Sequence, residues 1–160
     1  MESAVFSVLA WIIALCAGLM AGTYFAFSGF IMRSFNTMDT AGAIAAMNAI
    51  NVTIQKSSFM ALFFGSTIVG VLMVAAGLWQ WGGPGADRSL AAGVIYVAGM
   101  FVVTVAANVP LNNALARVSG DGEEASRTWS HYLKRWTRWN TLRTIASVAT
   151  LIICIELLSI

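Results

Sequence analysis

The chain is poor in charge and in metal ligands. Charged residues make up only 10% of its 160 residues, whereas a soluble domain carries about a quarter. It has one histidine, His131, and two cysteines, Cys16 and Cys154, without a C-x-x-C spacing. These donors are too few for a metal centre built from the usual soft ligands. The sequence therefore predicts a protein that is not soluble and that holds no metal ion.

Long apolar runs dominate what remains. Hydrophobic residues make up 59% of the chain. A helix needs about 20 residues to cross a hydrocarbon core of roughly 30 Å, and four stretches reach that length: 4–32, 59–81, 90–112 and 140–160. Polar residues complete the last two. We therefore predict a single all-α integral membrane domain over residues 1–160, built as a bundle of four transmembrane helices.

The positive charges lie mostly on one side of this bundle. With four spans, both termini share a side with the loop at 82–89, which carries Arg88 alone. The positive-inside rule then places both termini outside and the two long polar segments in the cytoplasm. We expect a bacterial inner membrane and, because Met1-Glu2 lacks the positive start of a signal peptide, a first span that is retained. The cations on the inner side are Arg33, Lys56, Arg117, Arg127, Lys134, Arg135, Arg138 and Arg143.

Small residues recur along the first span. Gly18, Gly22 and Ala26 lie four residues apart, a spacing that lets helix backbones approach closely in lipid. The motif is explained by packing within the bundle or, alternatively, by a homodimer interface. The inner end of the span then becomes rich in hydroxyls and rings, from Thr23 to Ser28.

Residues 39–57 predict a separate short helix. Asp39 or Thr40 can cap it, and apolar residues follow at helical spacing through Ile54. The segment is too polar to span, so we expect an amphipathic connector at the cytoplasmic interface. Asn48 and Asn51 are three residues apart and share one of its faces.

The third span ends in the sequence Asn108-Val109-Pro110-Leu111-Asn112. Pro110 removes a backbone hydrogen bond and disfavours helix at the residue before it. The two asparagines lie four residues apart, so their amides can share a face near the freed backbone. They either satisfy that backbone, as polar groups in lipid must be satisfied, or point into a cavity that the break opens.

The segment from Glu123 to Arg143 predicts a long amphipathic helix that leads into the fourth span. At 100° per residue one face is aromatic and the opposite face cationic. Such a helix also suits the surface of an anionic leaflet. Arg143 lies with the aromatic face and is not explained by lipid contact, whereas His131 lies on the cationic face. The aromatic face carries Trp129, Tyr132, Leu133, Trp136, Trp139, Asn140 and Arg143, and the cationic face Arg127, His131, Lys134, Arg135 and Arg138.

These elements together resemble the anthrone oxygenase-like family of small four-span membrane proteins. The resemblance lies in the first span, Ala46 to Asn51, Asn108-x-Pro110-Leu111-Asn112, and Trp136-x-Arg138-Trp139-Asn140-x-Leu142-Arg143. It implies oxidation of an anthrone-type aromatic by molecular oxygen without metal, flavin or other cofactor. It further implies a slot for a flat tricycle, donors for an oxyanion and a proton acceptor.

We therefore expect a cavity near the cytoplasmic side, bounded by Asn108, Asn112, Trp136, Trp139, Asn140 and Arg143. In the reaction that the resemblance implies, Arg143 with Asn140 or Asn108 stabilises the oxyanion. Trp136 and Trp139 wall the slot, and His131 or Tyr132 accepts the proton. The alternative is a bundle without enzymatic activity that binds a lipid, a quinone or a protein partner. No nucleic-acid partner is expected, because the basic segment is short and tied to the membrane surface.

Overall fold

The computed structural model describes residues 2–118 and 122–159. Within them the secondary structure is entirely helical, and four helices are long and apolar enough to cross a membrane. This confirms the predicted fold class, an all-helical integral membrane protein with four spanning helices. Residues 119–121 of the second long polar segment and Ile160 of the last predicted span lie outside the described residues.

Five helices follow one another in this part of the chain. The first and fourth contain π-helical turns, which are rare and often occur at functional sites. Helix α1 runs through Glu2–Ala26, the π-helical Phe27–Ile31 and Met32–Phe35. Helices α2, α3 and α5 are Thr40–Ile54, Ser58–Trp79 and Glu123–Leu158. Helix α4 runs through Ala86–Tyr96, the π-helical Val97–Val102 and Thr104–Asn108, and Val109–Leu115.

The main core lies among the four spanning helices, and its most extensive contact is between α1 and α5. Ala10, Ile13, Ala17 and Met20 of α1 are fully buried there, and Cys154 of α5 packs in the same cluster. The predicted glycine motif contributes less to this contact. A Cβ at Gly18 would lie 3.9 Å from Leu151, and one at Gly22 would meet no atom within 4 Å. The alanine and methionine stripe therefore packs α1 against α5, and the homodimer stays a prediction.

Helices α3 and α4 lie close together from the turn that joins them to about the middle of α3. Gly85, at a φ of 78°, is the residue before α4. A Cβ at Gly77 would lie 2.7 Å from the carbonyl oxygen of Ala86, and one at Gly93 would lie 2.5 Å from that of Gly70. Only a residue without a side chain fits at these positions, so the glycines set the close spacing of the two helices.

At the other end of the bundle, α2 packs across the first part of α5. Asp39 caps α2, its Oδ1 accepting from Gly42 N at 2.8 Å. A second core cluster joins the two helices to the ends of α1 and α4, and it contains Met32, Ala43, Ile44, Met47, Leu115, Ala125, Trp129, Tyr132 and Trp136. The aromatic face of α5 is therefore buried against protein. The four cations and the histidine predicted for the opposite face are all exposed, so the two predicted faces of α5 are confirmed.

Candidate functional site

A pocket of about 460 Å³ lies at this end of the bundle, between the spans and α2. Its volume falls in the range of about 300–1,000 Å³ that is typical of small-molecule sites. Most of its lining is apolar, with a smaller number of amide, hydroxyl and guanidinium groups. The lining residues come from all five helices: Thr23, Tyr24, Phe27, Met47, Ile50, Asn51, Ile54, Gln55, Phe59, Met60, Phe63, Phe64, Phe101, Thr104, Val105, Asn108, Val109, Asn112, Asn113, Trp136, Asn140 and Arg143.

Arg143 is the charged residue of this lining, and its side chain is almost fully enclosed. The residue is 6% exposed. Its Nη1 donates to Thr104 Oγ1 at 3.1 Å and its Nη2 to Asn140 Oδ1 at 2.6 Å. The guanidinium carbon lies 4.1 Å from the centroid of the Tyr24 ring and 5.4 Å from that of Trp136. Two aromatic faces and two oxygen acceptors therefore fix the position of the cation.

The Arg143 guanidinium has no carboxylate beside it. Across residues 2–118 and 122–159 the ion pairs are Arg88 with Asp87 at 3.9 Å and Arg127 with Glu123 at 3.5 Å, and both are exposed. Burying a cation without an anion in a low dielectric has an unfavourable free energy, because Tyr24 and Thr104 replace only part of its hydration. The site therefore favours a ligand that carries or develops negative charge next to Arg143.

Asn140 connects this cation to the first helix. The residue is fully buried, and its Nδ2 donates to the carbonyl oxygen of Tyr24 and to Ser28 Oγ, each at 2.6 Å. Its Oδ1 accepts from Arg143. The amide thus satisfies a backbone carbonyl where α1 enters its π-helical turn, and the same side chain orients the guanidinium. We infer that Asn140 positions Arg143.

The two asparagines around Pro110 bond to α5. Asn108 Nδ2 donates to the carbonyl oxygen of Trp136 at 3.3 Å, and Asn112 Oδ1 accepts from the Tyr132 hydroxyl at 2.8 Å. Both residues also line the pocket. The helix continues through Pro110, which stands at the start of Val109–Leu115 directly after the π-helical turn. The amides therefore join α4 to α5 at the pocket wall and do not bond to the backbone next to Pro110. The expected loss of helix at Val109 is wrong, because Val109 begins the helical segment that contains Pro110.

Several buried polar atoms of lining residues have no hydrogen-bond partner among the described residues. They are Tyr24 Oη, Asn51 Nδ2, Asn108 Oδ1, Trp136 Nε1 and Arg143 Nε. Buried polar groups are nearly always paired in folded proteins, and each exception needs an explanation. Three donors, one acceptor and one hydroxyl around a largely apolar pocket are the arrangement expected where a ligand with a few oxygen atoms binds.

The structure brings together most of the residues predicted for the site. Asn108, Asn112, Trp136, Asn140 and Arg143 all line the pocket. The other three do not.

Trp139 is half-buried and outside the lining, and His131 is exposed on the opposite face of α5. His131 therefore does not reach the pocket, because it lies on the cationic face. Tyr132 is buried and touches the site through Asn112.

Sequence reasoning missed three polar residues of the site. Tyr24 stacks on Arg143, Thr104 accepts from it, and Asn51 lines the pocket from α2. A signal existed for two of them, since Tyr24 lies in the hydroxyl-rich end of the first span and Asn51 on a polar face of α2. Thr104 is a single hydroxyl in an apolar run, and nothing in the sequence distinguishes it.

The described residues contain no group of three or more His, Cys, Asp or Glu side chains that could hold a metal ion. The fold defines an integral membrane protein with a largely apolar pocket near one end of its helix bundle. A family model described as "Anthrone oxygenase" matches residues 53–153. The chain belongs to the anthrone oxygenase family. No curated protein and no solved structure matches the chain significantly.

The matched range contains α3, α4 and most of α5, and therefore Thr104, the Asn-Val-Pro-Leu-Asn sequence and Arg143. It does not include α1 or most of α2. Tyr24 and Asn51 thus lie outside the matched part of the chain, although they complete the pocket.

Proposed function

We propose that this protein is a membrane-embedded oxygenase that oxidises an anthrone-type polycyclic aromatic with molecular oxygen, and that it needs no cofactor. The observation that carries the proposal is the guanidinium of Arg143, buried between two aromatic rings without a carboxylate partner. Membership of the anthrone oxygenase family supports it. The largely apolar pocket suits a flat tricycle, and its few polar groups suit the oxygen substituents of such a ligand.

The chemistry needs little beyond positioning and charge. The carbonyl of an anthrone acidifies the methylene opposite to it, and loss of one proton gives an electron-rich enolate. This enolate reduces oxygen, a new carbon–oxygen bond forms at the former methylene, and loss of water leaves the quinone. Overall the methylene loses two hydrogens and gains one oxygen atom, and the second oxygen atom leaves as water.

Arg143 is the residue that would stabilise the enolate oxygen. In a pocket that excludes water, a preorganised donor opposite a developing oxyanion is often the largest catalytic term. Asn140 holds the guanidinium in place, and Asn108 offers a second polar group in the same lining. The ring of Trp136 forms one wall of the slot.

The methylene proton would pass to the reduced oxygen, with which it leaves as water. Tyr132 does not serve as the acceptor in this arrangement, because its neutral hydroxyl already donates to Asn112 Oδ1 at 2.8 Å and an amide does not relay a proton. His131 does not serve either, because its exposed position separates it from the pocket.

Oxygen uptake with a simple anthrone tests the proposal. The purified, metal-stripped protein in detergent is compared with a protein-free blank, because anthrones also oxidise spontaneously, and with Arg143→Ala. We expect saturable quinone formation above the blank that the substitution abolishes. A well-folded Arg143→Ala protein with full activity would remove the centre of the mechanism.

The second candidate is a protein without enzymatic activity that binds a quinone or an anionic lipid. It is favoured by the same unpaired cation, since any anion can complete such a site. Native mass spectrometry of the detergent-purified protein distinguishes the two: a co-purified lipid that Arg143→Ala loses, together with no oxidation above the blank, would favour the binding protein.

We also propose that the pocket end of the bundle faces the cytoplasm, with both termini outside. The exposed cations of α5, including Lys134 and Arg138, support this orientation through the positive-inside rule. Cysteines placed at Lys134 and at Trp81 should react with a membrane-impermeant thiol reagent from opposite sides of the membrane. Labelling of Lys134→Cys from the outside of intact cells would contradict the proposal.

A further inference from the structure

Helices α3 and α4 separate along their length toward the pocket. Where they are close, Gly70 and Gly93 allow backbone contact. Further toward the pocket, rings replace glycines between the two helices. The Phe63 and Phe101 rings have centroids 5.5 Å apart, and those of Phe64 and Phe101 are 6.5 Å apart. Rings of this size wedge the helices apart, so a gap opens on the pocket side of Phe101.

The residues at this gap belong to the pocket and to the outer surface at once. Phe64 and Val105 each line the pocket and are each 51% exposed, and Val109 lines it and is 39% exposed. A closed pocket would have lining residues that are buried. These three side chains therefore mark an apolar mouth that opens sideways from the bundle, between α3 and α4. The other exposed lining residues, Gln55 and Asn113, are polar and lie at the α2 end of the pocket.

The mouth lies within the spanning part of the two helices. At a rise of about 1.5 Å per residue, Phe64 is about 9 Å along α3 from its first residue and Val105 about 15 Å from the last residue of α4. The exposed residues beside them are apolar as well, among them Ile68 and Val102. Such a surface faces acyl chains, because the lipid-facing side of a spanning helix is apolar.

We propose that this gap is a lateral portal through which an apolar aromatic ligand enters the pocket directly from the bilayer. A flat polycyclic molecule partitions into the membrane, so its concentration at the mouth is much higher than in water. It would pass the Phe64 and Phe101 rings and meet Thr104 and the Arg143 guanidinium behind them. The nature of the ligand rests on the proposed function, whereas the existence of the portal does not.

A thiol placed inside the pocket tests the portal without any ligand or turnover. Thr104→Cys puts a nearly isosteric thiol in place of the hydroxyl that lies 3.1 Å from Arg143 Nη1, and the neighbouring cation favours its reactive thiolate form. The variant in lipid nanodiscs is treated with an uncharged aryl maleimide dissolved in the bilayer, or with a sulfonated maleimide confined to water. Modification at residue 104 is followed by peptide mass spectrometry, so that Cys16 and Cys154 need not be replaced.

We expect the bilayer reagent to modify residue 104 at a rate proportional to its mole fraction in the lipid, and the aqueous reagent to react much more slowly. Val105→Phe should slow the first reaction about tenfold, the change that a barrier higher by about 1.4 kcal/mol produces. Val102→Phe is the matched control. Val102 is 50% exposed on the same helix but does not line the pocket, so this variant should react at the original rate.

Three results would overturn the portal: no labelling by the bilayer reagent, faster labelling by the aqueous reagent, or equal effects of Val105→Phe and Val102→Phe. Each can occur in a protein that oxidises anthrones normally. Conversely, a portal that behaves as expected in a protein without oxygen uptake would leave the portal intact and reject the proposed reaction. Failure of the two proposals is therefore distinguishable.

Discussion

Replacing Arg143 by methionine should destroy function while leaving the fold nearly as stable as before. The substitution removes the hydrogen bonds to Thr104 and Asn140, and a hydrogen bond to a charged group contributes about 1.5–3 kcal/mol. It also removes the penalty of several kcal/mol for burying a cation without an anion. Thr104 keeps its bond to the carbonyl oxygen of Met100 at 2.7 Å, so Asn140 Oδ1 is the group left without its partner.

These opposing terms are of similar size, and we expect the free energy of unfolding to change by no more than about 2 kcal/mol. For a chain of this length that is a change in Tm of roughly 4–8 °C in either direction. Activity should fall by about 100-fold or more, the usual loss on removing one donor to an oxyanion. Methionine is apolar and flexible, and it can retain the contacts with Tyr24 and Trp136.

The assays are thermal unfolding in detergent and oxygen uptake with an anthrone, each measured on the same preparation. Arg138→Met is the matched control, since Arg138 lies five residues earlier on the exposed face of the same helix and should change neither quantity. A Tm that drops by more than about 10 °C would refute the reasoning. Arg143 would then act mainly as a structural link between α4 and α5, and lost activity would follow from unfolding.

Three further substitutions separate packing, proton transfer and positioning. Gly99→Ala should lower the free energy of unfolding by about 1–3 kcal/mol, because its Cβ would overlap that of Ala146. Gly65→Ala is the control: its Cβ meets no atom within 4 Å, so this variant should be neutral or stabilising in the same thermal assay. His131→Ala should leave oxygen uptake unchanged across pH, and a loss of activity would return this exposed residue to the mechanism. Asn140→Leu should cost about 1–3 kcal/mol by leaving a backbone carbonyl unpaired, and it should reduce kcat more than KM, whereas an unchanged kcat would exclude a positioning role.

The fold and much of the site could be predicted because membrane sequence is strongly constrained. Apolar runs give the spans, and polar residues within them need partners. Arg143 and Asn140 were identified because they share a helical face with tryptophans, and the 3.6-residue period of α5 is long enough to define that face. Geometry along a single helix is therefore readable from sequence.

Contacts between helices were not readable in the same way. Thr104 became part of the site because two π-helical turns in α4 bring its hydroxyl opposite Arg143, and a local pattern does not reveal such turns. Trp139 shows the converse limit, since a face about 100° wide includes residues at its edge that never reach the pocket. The predicted face of α5 is right for Trp139, whereas the predicted contact of Trp139 with the pocket is wrong.

A cation buried deep in the bundle without an anion lowers the stability of the fold, so packing alone does not explain why Arg143 is there. A bundle needing only a polar link between α4 and α5 already has two neutral ones, from Asn108 to the Trp136 carbonyl and from Tyr132 to Asn112. Neutral links avoid the desolvation of a charge. Arg143 adds a charge that aromatic faces hold in place but do not neutralise. A ligand that becomes anionic during its reaction would gain most from such a group, because the attraction appears only as the negative charge develops.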